Sequence, residues 1–163
     1  MQGSRMKLDD RKAIVSWAMY DWANSAFATT VMAGFFPIFM KEYWSAGADV
    51  NVSTALLGIA NSIAGLVVAV SAPVLGAIAD RGTNKKKFLI FFAFIGAVMT
   101  CGLCFVSQGR WPLAVALYIA GTIGFSGGKI FYDSLITGVA SKKKLNTVSA
   151  LGYSLGYLGG GRC

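Results

Sequence analysis

Four long apolar runs constrain this chain more than any other feature. They lie at 13–40, 54–79, 88–106 and 111–140, and a fifth opens at Val148 and reaches Cys163. A helix crosses the hydrocarbon of a bilayer with about 20 consecutive apolar residues. Backbone groups there must be paired within the segment, so each run is predicted to be a helix. The alternation in segments of about ten residues that marks a membrane-spanning barrel is absent. The first run follows basic residues, and Ala46, Gly47 and Ala48 resemble a cleavage site. It nevertheless exceeds the roughly 7–15 apolar residues of a signal peptide, so it reads as a retained first helix. The predicted fold class is all-α: a polytopic membrane protein.

Composition excludes several functions. Hydrophobic residues make up 55% and charged residues 13% of the 163, against about 25% charged in soluble domains. Histidine is absent, which removes the commonest general base and the commonest zinc ligand. Cys101 and Cys104 are spaced like a redox or metal pair but lie within an apolar run with no further ligand nearby; they read as small packing residues. Ser126 and Lys129 have the spacing of a serine nucleophile and its lysine, without the motifs that accompany such a site. Asn51, Val52 and Ser53 form a glycosylation sequon, meaningful only on a eukaryotic secretory route. No glycine-rich phosphate loop occurs. The chain is expected not to be an enzyme and to carry no cofactor and no metal.

The charge distribution sets the orientation. The segment 1–12 holds Arg5, Lys7, Arg11 and Lys12; the connection 80–87 holds Arg81, Lys85, Lys86 and Lys87; Lys142, Lys143 and Lys144 follow the fourth run. The other two connections carry only Lys41 and Arg110. Alternation of this kind is the positive-inside pattern, so the N-terminus and the basic connections are predicted to be cytoplasmic. The net charge of +8 therefore reflects topology, and nucleic acid is not an expected partner.

Ionisable residues inside the runs carry the functional signal. Each costs at least ~2.5–3.5 kcal/mol to insert, so such groups face a cavity or a partner. Asp21 lies nine residues after Lys12 and Asp133 nine before Lys142, about 13 Å from the same face in each case. Lys129 is one turn from Asp133, close enough to pair along one helix face. Helices one and four are predicted to face each other across a polar cavity, with Asp21 and Asp133 competing for Lys129. Such a cluster can take up a proton, because burial and a nearby ammonium pull a carboxyl pKa in opposite directions. Tyr20, Asn24, Ser25, Asn61 and Tyr132 are the further candidates to line the cavity. Gly124 and Gly128, and Gly152, Gly156 and Gly160, stand at the spacing that lets membrane helices approach closely.

Three segments carry a family resemblance. Gly76, Asp80, Arg81 and Lys85 resemble the cytoplasmic loop signature of the major facilitator superfamily, departing from it at Thr83 and Asn84. Trp17, Tyr20, Asp21, Trp22, Asn24, Ser25 and Phe27 resemble the helix-one signature of its autophagy-linked vacuolar amino-acid effluxer branch, whose bacterial members are of largely unassigned function. The segment 148–161, with Gly152, Gly156, Gly159, Gly160 and Gly161, is similar to that branch's helix-five opening.

This resemblance implies the N-terminal part of a major-facilitator helix bundle. It implies a secondary transporter that moves a small solute, with amino acids the implied class, by alternating access. Asp21, Asn24, Asp80 and Arg81 are the positions it favours. Such transporters have about twelve helices in two halves, so the chain is expected to be a fragment whose partners are the lipid bilayer, the solute and the missing C-terminal half. The alternatives are a complete small protein that self-associates into a channel, and a scaffold or remnant that transports nothing. A short basic N-terminus without an added targeting segment suits the bacterial plasma membrane first and a vacuolar membrane second.

Overall fold

The computed structural model describes residues 8–47, 49–82 and 84–161; Arg5, Lys7, Thr83 and Cys163 lie outside them. Five helices follow one another: α1 (Arg11–Trp44), α2 (Val50–Arg81), α3 (Lys85–Leu103), α4 (Trp111–Val139) and α5 (Leu145–Gly160). No strand occurs among the described residues. The fold is all-α, and α1 to α4 are each long and apolar enough to cross a membrane.

The helices follow the apolar runs but not their edges. α1 extends past Met40 to Trp44, and α3 stops at Leu103 because Cys104 and Phe105 close a turn. α1 is α-helical over Arg11–Ala26 and Phe36–Phe39, and π-helical over Phe27–Phe35 and Met40–Trp44. The longer π stretch ends just before Pro37, which has no N–H and cannot continue the regular ladder from the turn before it.

α4 is the central helix. It packs along α3 and α2 and touches α1, while α5 packs along α1. Accordingly 39% of its most apolar window is buried, against 6–11% in the other three spans. Two hydrophobic clusters close the ends of the bundle. One joins Trp17, Leu89, Phe131, Tyr132, Val139 and Val148 near the basic loops. The other joins Phe36, Met40, Trp44, Leu103, Val106 and Tyr118 near the opposite loops. Stacking organises both: Trp17 on Tyr132 at 4.4 Å and Phe36 on Tyr118 at 3.8 Å between ring centroids, pairs each worth about 0.5–1.5 kcal/mol beyond their burial. Leu66, Val70 and Phe94 are each at least 66% exposed, as apolar side chains on an outward face in lipid would be.

Glycine sets the helix spacing. A methyl group on Gly124 would stand 2.6 Å from the Gly96 nitrogen and 2.9 Å from the Phe92 carbonyl oxygen, so α3 and α4 touch backbone to backbone there. On α5, Gly152, Gly156 and Gly160 receive the α1 side chains Trp17, Asp21 with Ser25, and Thr29 in turn. The two glycine series thus serve close approach on different partners.

The N-terminal segment is tied to the α4–α5 connection. The Asp9 backbone N–H donates to the Val139 carbonyl at 3.0 Å, and the Ser141 N–H donates to Asp9 Oδ1 at 3.0 Å. Lys144 stands 3.9 Å from the same carboxylate. The hydrogen bonds from Ser141, with the Lys144 charge, hold the Asp9 carboxyl below its ordinary value of 3.8. A depressed carboxyl stabilises the clasp above the unfolded pKa, and that contribution is lost as pH falls through the folded one. Protection of the Ser141 amide, measured against its intrinsic exchange rate at each pH, is therefore expected to persist at neutral pH and to be lost only below about pH 3.8. Asp9→Ala is expected to remove the protection at every pH.

Candidate functional site

The candidate site lies where α1, α4 and α5 meet. Asp21 is buried, only 6% exposed, because Gly156 has no side chain: a methyl group there would stand 2.5 Å from Asp21 Oδ2 and 3.0 Å from Ser25 Oγ. Asp21 and Ser25, one turn apart on α1, open into a cavity of about 420 Å³. Thr29, Lys129, Tyr153 and Gly156 also line it. A carboxylate and an ammonium from two different helices thus share one space, and α5 supplies its third wall.

Lys129 acts electrostatically on both Asp21 and Asp133, and Asp21 acts on Asp133. No ion pair of 4.0 Å or less joins the three, the only such pair among the described residues being Lys144–Asp9. Asp133 lies on an exposed face of α4, whereas Lys129 is half-buried. The predicted competition of two acids for one lysine therefore corresponds to three charges within mutual range and none engaged.

Tyr132 lies beneath this cluster. Its ring is sandwiched by Trp17 and, at 5.3 Å, by Tyr20, and Trp17 Nε1 donates to its carbonyl oxygen at 3.1 Å. Its hydroxyl is buried without a hydrogen-bond partner, within electrostatic range of Asp21 and Asp133. Trp17 thereby locks α1 to α4 one turn before Asp21. The sequence shows Trp17 one turn before an intramembrane acid, but its partner Tyr132 lies 115 residues away and leaves no local trace.

The remaining candidates sit elsewhere. Tyr20 and Asn24 line a separate, largely apolar groove of about 560 Å³ with Phe27, Ala93, Gly96 and Phe125. Asn61 accepts a 2.7 Å hydrogen bond from the Tyr118 hydroxyl, tying α2 to α4. In the loop signature Asp80 and Arg81 are exposed, Gly76 has open space around it, and Lys85 donates to the Ser134 carbonyl of α4 at 3.3 Å. Cys101 and Cys104 are free and exposed. No group of three metal-ligating side chains occurs among the described residues.

Long apolar helices, close-packed through glycine around a space holding opposite charges, define a polytopic helical membrane protein. The family model for vacuole effluxer Atg22-like proteins matches residues 9–154, and the chain belongs to that family. It is 43% identical over 145 residues to YxiO, an uncharacterized MFS-type transporter of Bacillus subtilis, covering 88% of this chain and 34% of that protein. It is 28% identical over 151 residues to an uncharacterized protein of Aquifex aeolicus, covering 91% and 37%. To autophagy-related protein 22 of the fungus Coccidioides immitis it is 25% identical over 177 residues, covering 82% and 29%. The chain thus spans about a third of the length of these relatives. No solved structure matches it.

Proposed function

We propose that this chain is the N-terminal portion of a secondary active transporter that moves a small solute by alternating access, coupled to protons. The observation that carries the reading is Asp21, buried against Gly156 and facing a cavity it shares with Lys129. An ionised carboxylate at this depth is costly unless balanced, and Lys129 is the cation in range. Protonation of Asp21 neutralises the acid and leaves the Lys129 charge to Asp133 or to an anionic group of the solute. Each protonation state thus favours a different set of contacts, as a coupled two-state carrier requires. Amino acids are the solute class implied by the family, and their carboxylate is a group that Lys129 could bind.

The basic connections support a cytoplasmic N-terminus, and the bacterial plasma membrane is the proposed location, since the relative that shares 43% identity is bacterial. Proteoliposomes holding the full-length transporter of which this chain forms the N-terminal portion are expected to accumulate amino acids saturably under an imposed pH gradient. Conductance without saturation would identify an oligomeric channel instead, and neither response would identify a scaffold.

A further inference from the structure

A second groove opens at the basic end of the bundle, between α1, α3 and α4, with a volume of about 720 Å³. That lies within the roughly 300–1,000 Å³ usual for small-molecule sites. Its rim carries Lys12 at the start of α1 and Lys86 at the start of α3, with one acid, Asp10, beside them. Both lysines are exposed, and neither forms an ion pair with a described residue. From this rim the groove runs inward along apolar walls. Ile90 and Phe94 follow Lys86 at one-turn intervals along one helix face, and Trp17 and Leu89 form its floor. Phe94 lies eight residues past Lys86, about 12 Å along the helix, which is most of a half-bilayer roughly 15 Å deep.

We propose that this groove is a binding site for one anionic phospholipid of the leaflet on the basic side. Lys12 and Lys86 hold its phosphate, and an acyl chain lies along Ile90 and Phe94. The charge order fits only this orientation: the cations stand at headgroup depth, and every wall residue below them is apolar or aromatic apart from the hydroxyls of Ser16, Tyr20 and Tyr132. Basic pockets between membrane helices on this side recognise such headgroups. With Asp10 offsetting one lysine, the net preference is that of one cation near an anionic surface, roughly fivefold. The Lys85–Ser134 bond and the Asp9 clasp fix the ends of α3 and α1 that carry the two lysines.

The test is native mass spectrometry of the detergent-solubilised protein titrated with phosphatidylglycerol or phosphatidylcholine of the same chain length. The parent is expected to retain one phosphatidylglycerol about fivefold more tightly than phosphatidylcholine. K12Q/K86Q is expected to bind the two lipids equally, while K142Q/K143Q, at the same end but outside the groove, is expected to keep the preference. Far-UV circular dichroism checks that each variant is helical. Equal retention by the parent overturns the proposal, as does a preference that survives K12Q/K86Q or is lost in both double variants. Displacement of phosphatidylglycerol by millimolar inorganic phosphate would show an anion site with no lipid specificity and overturn it too. The readout does not depend on transport.

Discussion

Gly124→Leu is expected to detach α3 from α4 and to give a protein that cannot be recovered folded from detergent. Even Gly124→Ala is expected to lower stability by about 1–3 kcal/mol, the usual cost of overpacking a close-packed contact. The neighbours that a methyl group would meet are the Gly96 nitrogen at 2.6 Å, the Gly96 Cα at 2.9 Å and the Phe92 carbonyl oxygen at 2.9 Å. All three belong to the backbone, so no side chain can rotate away and the helices must move apart. Membrane helices associate through just such contacts, without a hydrophobic drive between them. Gly138→Ala is the control on the same helix: nothing lies within 4 Å of the added methyl, and alanine is the better helix former by about 1 kcal/mol. Its stability is expected to be unchanged or slightly raised. Thermal unfolding of the parent and both alanine variants, followed by circular dichroism, decides the matter. Equal midpoints for Gly124→Ala and the parent would show that the two helices are not in backbone contact.

The same contrast shows what the sequence makes legible. Apolar runs long enough to span a bilayer leave the backbone little choice but helix, so the fold class follows from length and hydropathy. Glycine spacing signals close approach but does not say to what. Gly124 meets Gly96, nearly thirty residues earlier, and Gly156 meets Asp21, which is 135 residues earlier. Pairings over such separations follow from the packing of the whole bundle and leave no local trace.

The polar residues of α1 divide for a simpler reason. Successive helical residues are turned by about 100°, so Asp21 and Ser25 share one face while Tyr20 and Asn24 share the next. The first pair reaches the charged cavity and the second an apolar groove. Polarity alone marks Asn61 as a cavity residue, and the Tyr118 hydroxyl that engages it lies 57 residues away. The π-helical stretch of α1 has Pro37 at its end as its only local signal.

In the full-length transporter Asp21→Asn is expected to abolish pH-gradient-driven uptake, by at least about tenfold at every solute concentration, while leaving the protein as stable as the parent or more so. The asparagine side chain has the shape of the carboxyl and fits over Gly156, so packing against α5 is kept. It removes a charge whose insertion costs about 2.5–3.5 kcal/mol, which is why stability is not expected to fall. It also leaves Lys129 without the buried partner on α1 and leaves no proton to exchange at that position. A residue that served only to hold the bundle together would behave the other way, with loss of stability accompanying loss of uptake. Lys129→Gln is expected to reproduce the loss of uptake with a different balance: Asp21 then stands buried without its nearby cation, and the protein is destabilised. Combining the two substitutions removes both charges, and stability is expected to return towards that of Asp21→Asn, since Lys129→Gln is costly only while the buried Asp21 carboxylate is left without a nearby cation. Uptake and thermal unfolding measured on the parent, both single variants and the double variant complete the cycle. If the two substitutions prove additive in stability, Asp21 and Lys129 do not balance each other, and the coupling mechanism proposed for this cavity fails.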